Sequence, residues 1–157
     1  MVSEVQTVSI AIASAGVFAA AIYYIIQIRH QTKMRQTDLV MRLYSQYSSV
    51  EFQKLWEKIV NSEAKDFDDY TKKYGWAEAL SVSVFFEGIA ILLKRKLIDI
   101  DLVGDMFSIA IKMTWEKTKD IALEARKVRN QPGLFSWFEY LYDEMKKREQ
   151  KLQQSKA

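Results

Sequence analysis

Cysteine is absent, histidine occurs once, proline once and glycine only five times in 157 residues. Without cysteine there is no disulfide framework, thiolate zinc site, iron–sulfur cluster or cysteine nucleophile. Scarce proline and glycine argue against collagen-like and turn-rich β architectures. With one histidine and no Glu-x-x-His pair, the di-iron bundle pattern fails. Gly-rich phosphate loops and dinucleotide fingerprints are missing too. No cofactor, metal or small-molecule substrate is therefore expected, no catalytic residue is assigned, and an enzyme is the weakest of the function classes.

What is present is apolar. Hydrophobic residues make up 49% of the chain and aromatics 13%, which excludes disorder as the default. The length fits one domain. Net charge is +3, and its location matters. Residues 1–28 carry only Glu4, for a balance of −1. Residues 29–49 carry Arg29, Lys33, Arg35 and Arg42 against Asp38, for +3, and residues 50–157 carry 19 cations against 18 acids, for +1. The basic excess is a short collar rather than the broad field of a nucleic-acid binder, so no nucleic-acid partner is expected.

From Val5 to Ile28 there are 24 residues without a charge. As a helix this run is about 36 Å long, enough to cross about 30 Å of hydrocarbon. A cleaved signal peptide would place cations before a shorter apolar stretch; here Glu4 precedes and the cations follow. The expectation is a transmembrane segment over 1–28. Tyr23 and Tyr24 lie at its basic end, where interfacial aromatics belong. Arg29, Lys33 and Arg35 are assigned to lipid headgroups on the cytoplasmic side, which gives an outside N-terminus and a cytoplasmic remainder at the inner membrane. Ala11, Ala15 and Ala19, with Gly16 and Ala20, recur at a spacing of four. Small residues so placed let helices approach closely in lipid, so the span is expected to self-associate.

No glycine or proline interrupts residues 17–74. The span is expected to continue as a stalk helix over 29–49, its far end packing through Leu39, Val40, Leu43, Tyr44 and Tyr47. A cytosolic bundle of about four helices is assigned to 50–153 and a tail to 154–157. Ser48 or Ser49 caps a helix carrying Phe52, Leu55, Trp56 and Ile59. Residues 61–75 are polar and read as a linker. Trp76 to Leu97 reads as the central buried helix, since the apolar stretch Val82–Leu93 is too short to span a bilayer. Lys94, Arg95 and Lys96 close it, a favourable place for cations and a candidate contact for anionic lipid. Asp99 or Asp101 opens a helix running to about Arg129, with Leu102, Met106, Ile109, Ala110 and Met113 as one stripe. Pro132 and Gly133 break the chain, and a last helix carries Phe138, Leu141, Tyr142 and Met145 before a frayed polar end. Trp56, Trp76, Trp115 and Trp137 sit on apolar stripes or at helix starts, which suits core packing.

Glu87 stands among Val84, Phe85, Phe86, Ile89 and Ile91. A carboxylate there must be paired or protonated. Arg126 and Arg129, on the next long helix, are its expected partners in a structural ion pair. His30, at the end of the charge-free run, needs no special role.

The stretches VFFEGIAILLKRKLIDIDLV, MTWEKTKDIALEARKVRNQP and LFSWFEYLYDEM, together with the opening span, resemble a family of small bacterial and archaeal proteins of unassigned function. The resemblance implies an all-helical, membrane-anchored fold and adds no reaction. The expectation is thus an all-α interaction module whose partners are the bilayer, itself or other membrane subunits, acting as scaffold or accessory subunit. An effector whose spans gather into a pore is the alternative.

Overall fold

A computed structural model describes residues 3–155. Lys156 and Ala157, within the expected tail, lie outside the described residues. The architecture is all-α, with six helices and no strand among the described residues. They are α1 (Glu4–Tyr47), α2 (Val50–Val60), α3 (Phe67–Tyr74), α4 (Trp76–Lys94), α5 (Ile100–Val128) and α6 (Ser136–Gln154). The chain divides into two units, one reaching to Asp38 and one starting at Leu39.

The first unit is helix alone. Its side-chain hydroxyls bond within the helix: Ser9 donates to the Val5 carbonyl at 2.9 Å and Thr32 to the Ile28 carbonyl at 2.9 Å. These hydroxyls thus find their partners within the helix itself.

The second unit is the bundle. It begins inside the expected stalk, because Val40 is fully buried in the core while residues before Leu39 are not. Local chemistry sets the helix ends. Ser49 caps α2 by accepting the Phe52 N–H at 3.2 Å, and Asp99 caps α5 by accepting the Asp101 N–H at 2.8 Å. At the close of α4, Lys96 takes φ 57° and the Leu97 N–H reaches the Leu92 carbonyl at 3.0 Å. Asn130, at φ 52°, ends α5 in the same way, with Gln131 donating to the Arg126 carbonyl at 2.9 Å.

Two aromatic groups fill the core and α4 joins them. Tyr47, Phe52, Phe85 and Phe107 form one, with Phe52 and Phe85 rings 4.7 Å apart. Phe86, Phe138 and Trp115 form the other, with Phe86 and Phe138 stacked at 4.8 Å. Phe85 and Phe86 meet at 5.3 Å and bridge the two. Trp56 reaches across from α2 and donates to the Thr114 hydroxyl at 2.8 Å.

Four expectations change. The polar segment 61–75 contains α3, capped by Asp66, which accepts the Asp69 N–H at 2.8 Å. α3 is held because Phe67 and Tyr70 are buried and the Phe67 N–H donates to Glu124 of α5 at 2.7 Å. The stripe Leu102, Met106, Ile109, Ala110, Met113 is displaced: α5 buries Val103, Phe107, Ala110, Ile111 and Thr114 and leaves Ile109 72% exposed. Trp137 is also exposed, because Phe138 beside it takes the core position. The end of the last helix is not frayed; α6 stays helical to Gln154, its Glu149 accepting from Lys112 at 2.9 Å.

Candidate membrane-anchoring site

Two helices are long and apolar enough to cross a membrane, α1 and α4. They differ in what their side chains touch. α4 buries seven residues in the bundle, among them Val82, Phe86 and Ile89. The only buried residue of α1 is Val40, far beyond the apolar run. Between Val5 and Ile28 every residue is exposed, and Phe18 presents 71% of its surface. An exposed contiguous apolar face this long is unfavourable in water.

Along that run Ala11, Ala15, Gly16, Ala19 and Ala20 are all exposed, and a Cβ added at Gly16 would meet nothing. Ile10, Ala13, Ser14, Val17 and Phe18 line a shallow groove of about 330 Å³ on the same helix. Arg29, Lys33 and Arg35 follow the run and are exposed, as is His30.

Glu87 is half-buried on α4, and the ion pair expected with Arg126 or Arg129 is not formed. Arg126 spends its donors elsewhere. Its Nε donates to the Leu134 carbonyl at 2.7 Å and its Nη2 to Glu139 at 2.7 Å. This geometry ties the end of α5 to the start of α6. Arg129 turns instead to aromatic faces, 4.7 Å from the Trp76 ring centre and 5.7 Å from that of Phe67. Burial pushes the Glu87 carboxyl above the ordinary carboxylate range, while the Trp137 backbone N–H and the Arg126 charge pull it back. Trp137 lies in the first turn of α6, whose N-cap Phe135 is left-handed at φ 59° and supplies no capping oxygen. Glu87 thus sits where a carboxylate complements an uncapped helix start.

Tyr70 was not singled out in the sequence. It is buried between α3 and the long helices, and its hydroxyl is the one buried side-chain polar atom without a partner among the described residues. Burial first, then the nearby Glu78 and Tyr74, push its hydroxyl up to about 12. Tyr70 lines an open groove of about 540 Å³ with Lys65, Lys73, Glu63, Glu116 and Lys117, and a small cavity of about 20 Å³ with Trp76, Ser83 and Trp115. Only its place as an apolar position in a polar segment could have drawn attention to it. Among the described residues no three His, Cys, Asp or Glu side chains gather as a metal would require.

No curated protein and no solved structure matches the chain. One family match runs over residues 10–145, from inside the apolar run of α1 well into α6. That match is to DUF4760, a domain of unknown function, and the chain belongs to this family.

Proposed function

We propose that the protein is a membrane-anchored helical interaction module. The observation that carries this reading is the complete exposure of the apolar run Val5–Ile28, in contrast to the other long apolar helix, α4, which buries seven of its residues. In this reading α1 crosses a bilayer with its N-terminus outside, because Arg29, Lys33 and Arg35 follow the run and cations favour the cytoplasmic side. The bundle is then cytoplasmic, at the inner membrane. The small residues of α1 support pairing of spans, with a second copy or with another membrane subunit. The bundle serves as scaffold or accessory subunit.

Fractionation tests the anchor. The chain should sediment with membranes and resist alkaline carbonate; recovery in the soluble fraction would overturn it. A cysteine placed at Ser155 should react with an impermeant thiol reagent only after lysis, and labelling of intact cells would reverse the topology. Ala15→Leu and Gly16→Leu should weaken crosslinking between spans. If crosslinking persists in both, α1 anchors without pairing.

A further inference from the structure

The end of the bundle where α4 closes and α5 opens concentrates cations that form no ion pair among the described residues. Lys94, Arg95 and Lys96 are consecutive and exposed, and none forms an ion pair among the described residues. Lys94 rests 5.2 Å from the Tyr140 ring centre. The backbone bond from Leu97 to Leu92 fixes the turn and leaves Leu97 47% exposed beside the cations. The last turns of α6 add Lys151 and the exposed Leu152, which line a groove of about 380 Å³ with Ile100 and Asp101 at the start of α5.

The acids at this end are answered from within. Asp99 caps α5, and Asp101 and Asp105 both accept from Arg148, at 2.8 and 2.5 Å. The arrangement leaves Lys94, Arg95 and Lys96 exposed next to Leu97, and Lys151 exposed next to Leu152. Cations interleaved with exposed apolar side chains suit the boundary between headgroups and acyl chains, whereas a soluble anion gains nothing from the leucines.

Tyr44 and Tyr47 contact Phe107, Trp56 bonds Thr114, and Ser62 and Lys65 share a groove with Glu116 and Ile121. From Tyr44 to Lys65 the chain therefore advances along α5 in the direction of α5 itself. Leu39 and Val40 precede that level, so the bundle begins near the opening of α5.

We propose that Lys94, Arg95, Lys96, Leu97, Lys151 and Leu152 form a docking surface for an anionic phospholipid leaflet. The proposal rests on the anchoring reading and extends it to the bundle. The test uses the full chain in vesicles of phosphatidylcholine with or without phosphatidylglycerol. A donor dye on Ser155→Cys, the single cysteine, reports energy transfer to acceptor-labelled headgroups. Transfer should be higher with phosphatidylglycerol and fall in high salt. Reversal of all three cations (Lys94→Glu, Arg95→Glu, Lys96→Glu) should reduce the ratio of docked to undocked bundle by at least about a hundredfold, as expected for three cations at an anionic surface. Transfer that ignores lipid charge, salt and the reversal overturns the surface. The salt and lipid arms decide the matter on the unaltered cations should the triple variant misfold. Inorganic phosphate at matched ionic strength should leave transfer unchanged; its loss would assign the cations to soluble phosphate and overturn the lipid surface. Alkaline extraction reads the anchor separately. A chain retained in alkali with lipid-independent transfer keeps the anchor and loses the surface; an extractable chain with lipid-dependent transfer does the reverse.

Discussion

Replacing Gly104 by alanine tests how α5 and α6 are locked. Gly104 lies in the second turn of α5, directly beneath the Arg148 guanidinium. A Cβ there would stand 2.5 Å from Nη1, 2.6 Å from Cζ and 2.7 Å from Nε. Ordinary contact begins near 3.4 Å, so the guanidinium, the far end of a flexible side chain, must retreat by about 1 Å, which draws it off its present bonds. Those bonds run to Asp101 and Asp105, one helical turn apart on α5, so a single arginine grips two rungs. Two effects then oppose each other. Alanine in a helix interior stabilises by about 1 kcal/mol over glycine. Against this, both carboxylates are more than two-thirds exposed while Arg148 is 15% exposed, and solvent screening limits each contact to about 0.5–1 kcal/mol. In the parent chain Gly104→Ala should therefore be neutral to mildly destabilising, by up to about 1 kcal/mol.

The decisive quantity is the coupling. With Arg148→Ala already present nothing blocks the Cβ, and Gly104→Ala should stabilise by about 1 kcal/mol. The double-mutant cycle should give an interaction of about 1–2 kcal/mol. Urea unfolding followed by tryptophan emission reads it cleanly, because Trp56, Trp76, Trp115 and Trp137 all lie in the bundle and none in α1. Equal stabilisation by Gly104→Ala in both backgrounds would refute the clamp.

Four further substitutions at three positions probe the carboxylate, the hydroxyl and the arginine. Because burial raises the Glu87 carboxyl above its unfolded value, the proton is held more tightly in the folded chain, and stability from this group falls as pH rises through the folded pKa. Glu87→Gln should thus raise the midpoint of unfolding at neutral pH, with the gain vanishing in acid below the unfolded carboxylate range; a loss at neutral pH would show that the α6 terminus outweighs burial. Tyr70→Phe removes a partnerless buried hydroxyl and should stabilise by about 1 kcal/mol in urea unfolding, whereas destabilisation would reveal a bound water in the small cavity. Arg126→Ala should cost about 2–3 kcal/mol by detaching the Leu134 carbonyl and Glu139, and Arg126→Lys, lacking the fork, should recover less than half of it.

Helices whose ends carry local chemistry were legible from the residues. Ser49, Asp99 and the Pro132–Gly133 break mark ends that need no tertiary context, and the exposed run of α1 follows from charge alone. α3 was hidden because Phe67 and Tyr70 are two apolar side chains in a polar segment, and what holds them is Glu124, 57 residues away from Phe67. Even so, its Asp66 cap and the closing Lys72 and Lys73 carried a helical signature. On α5 the two candidate faces are neighbours. The expected stripe Leu102, Met106, Ile109, Ala110 and Met113 shares only Ala110 with the buried face of Val103, Phe107, Ala110 and Ile111, and periodicity alone cannot choose between equally apolar faces one residue apart. The aromatic Phe107, facing Tyr44, Tyr47 and Phe85, decides it.

The Glu87 assignment failed for a related reason. Burial of the carboxylate was readable from its apolar neighbours, but which cation answers a buried acid depends on where arginine's other donors are engaged. Arg126 lies close enough for its charge to act on Glu87, yet the left-handed turn at Phe135 brings the Leu134 carbonyl and Glu139 within 2.7 Å and captures the guanidinium. The same turn leaves α6 without a side-chain capping oxygen, the Ser136 N–H donating to the Gly133 carbonyl at 3.1 Å instead. One backbone conformation thus removes the expected partner from Glu87 and supplies another, the start of α6. The carboxylate sits at the junction of α4 and α6 without the ion pair, where the Trp137 N–H and the Arg126 charge both favour its ionised form against the cost of burial.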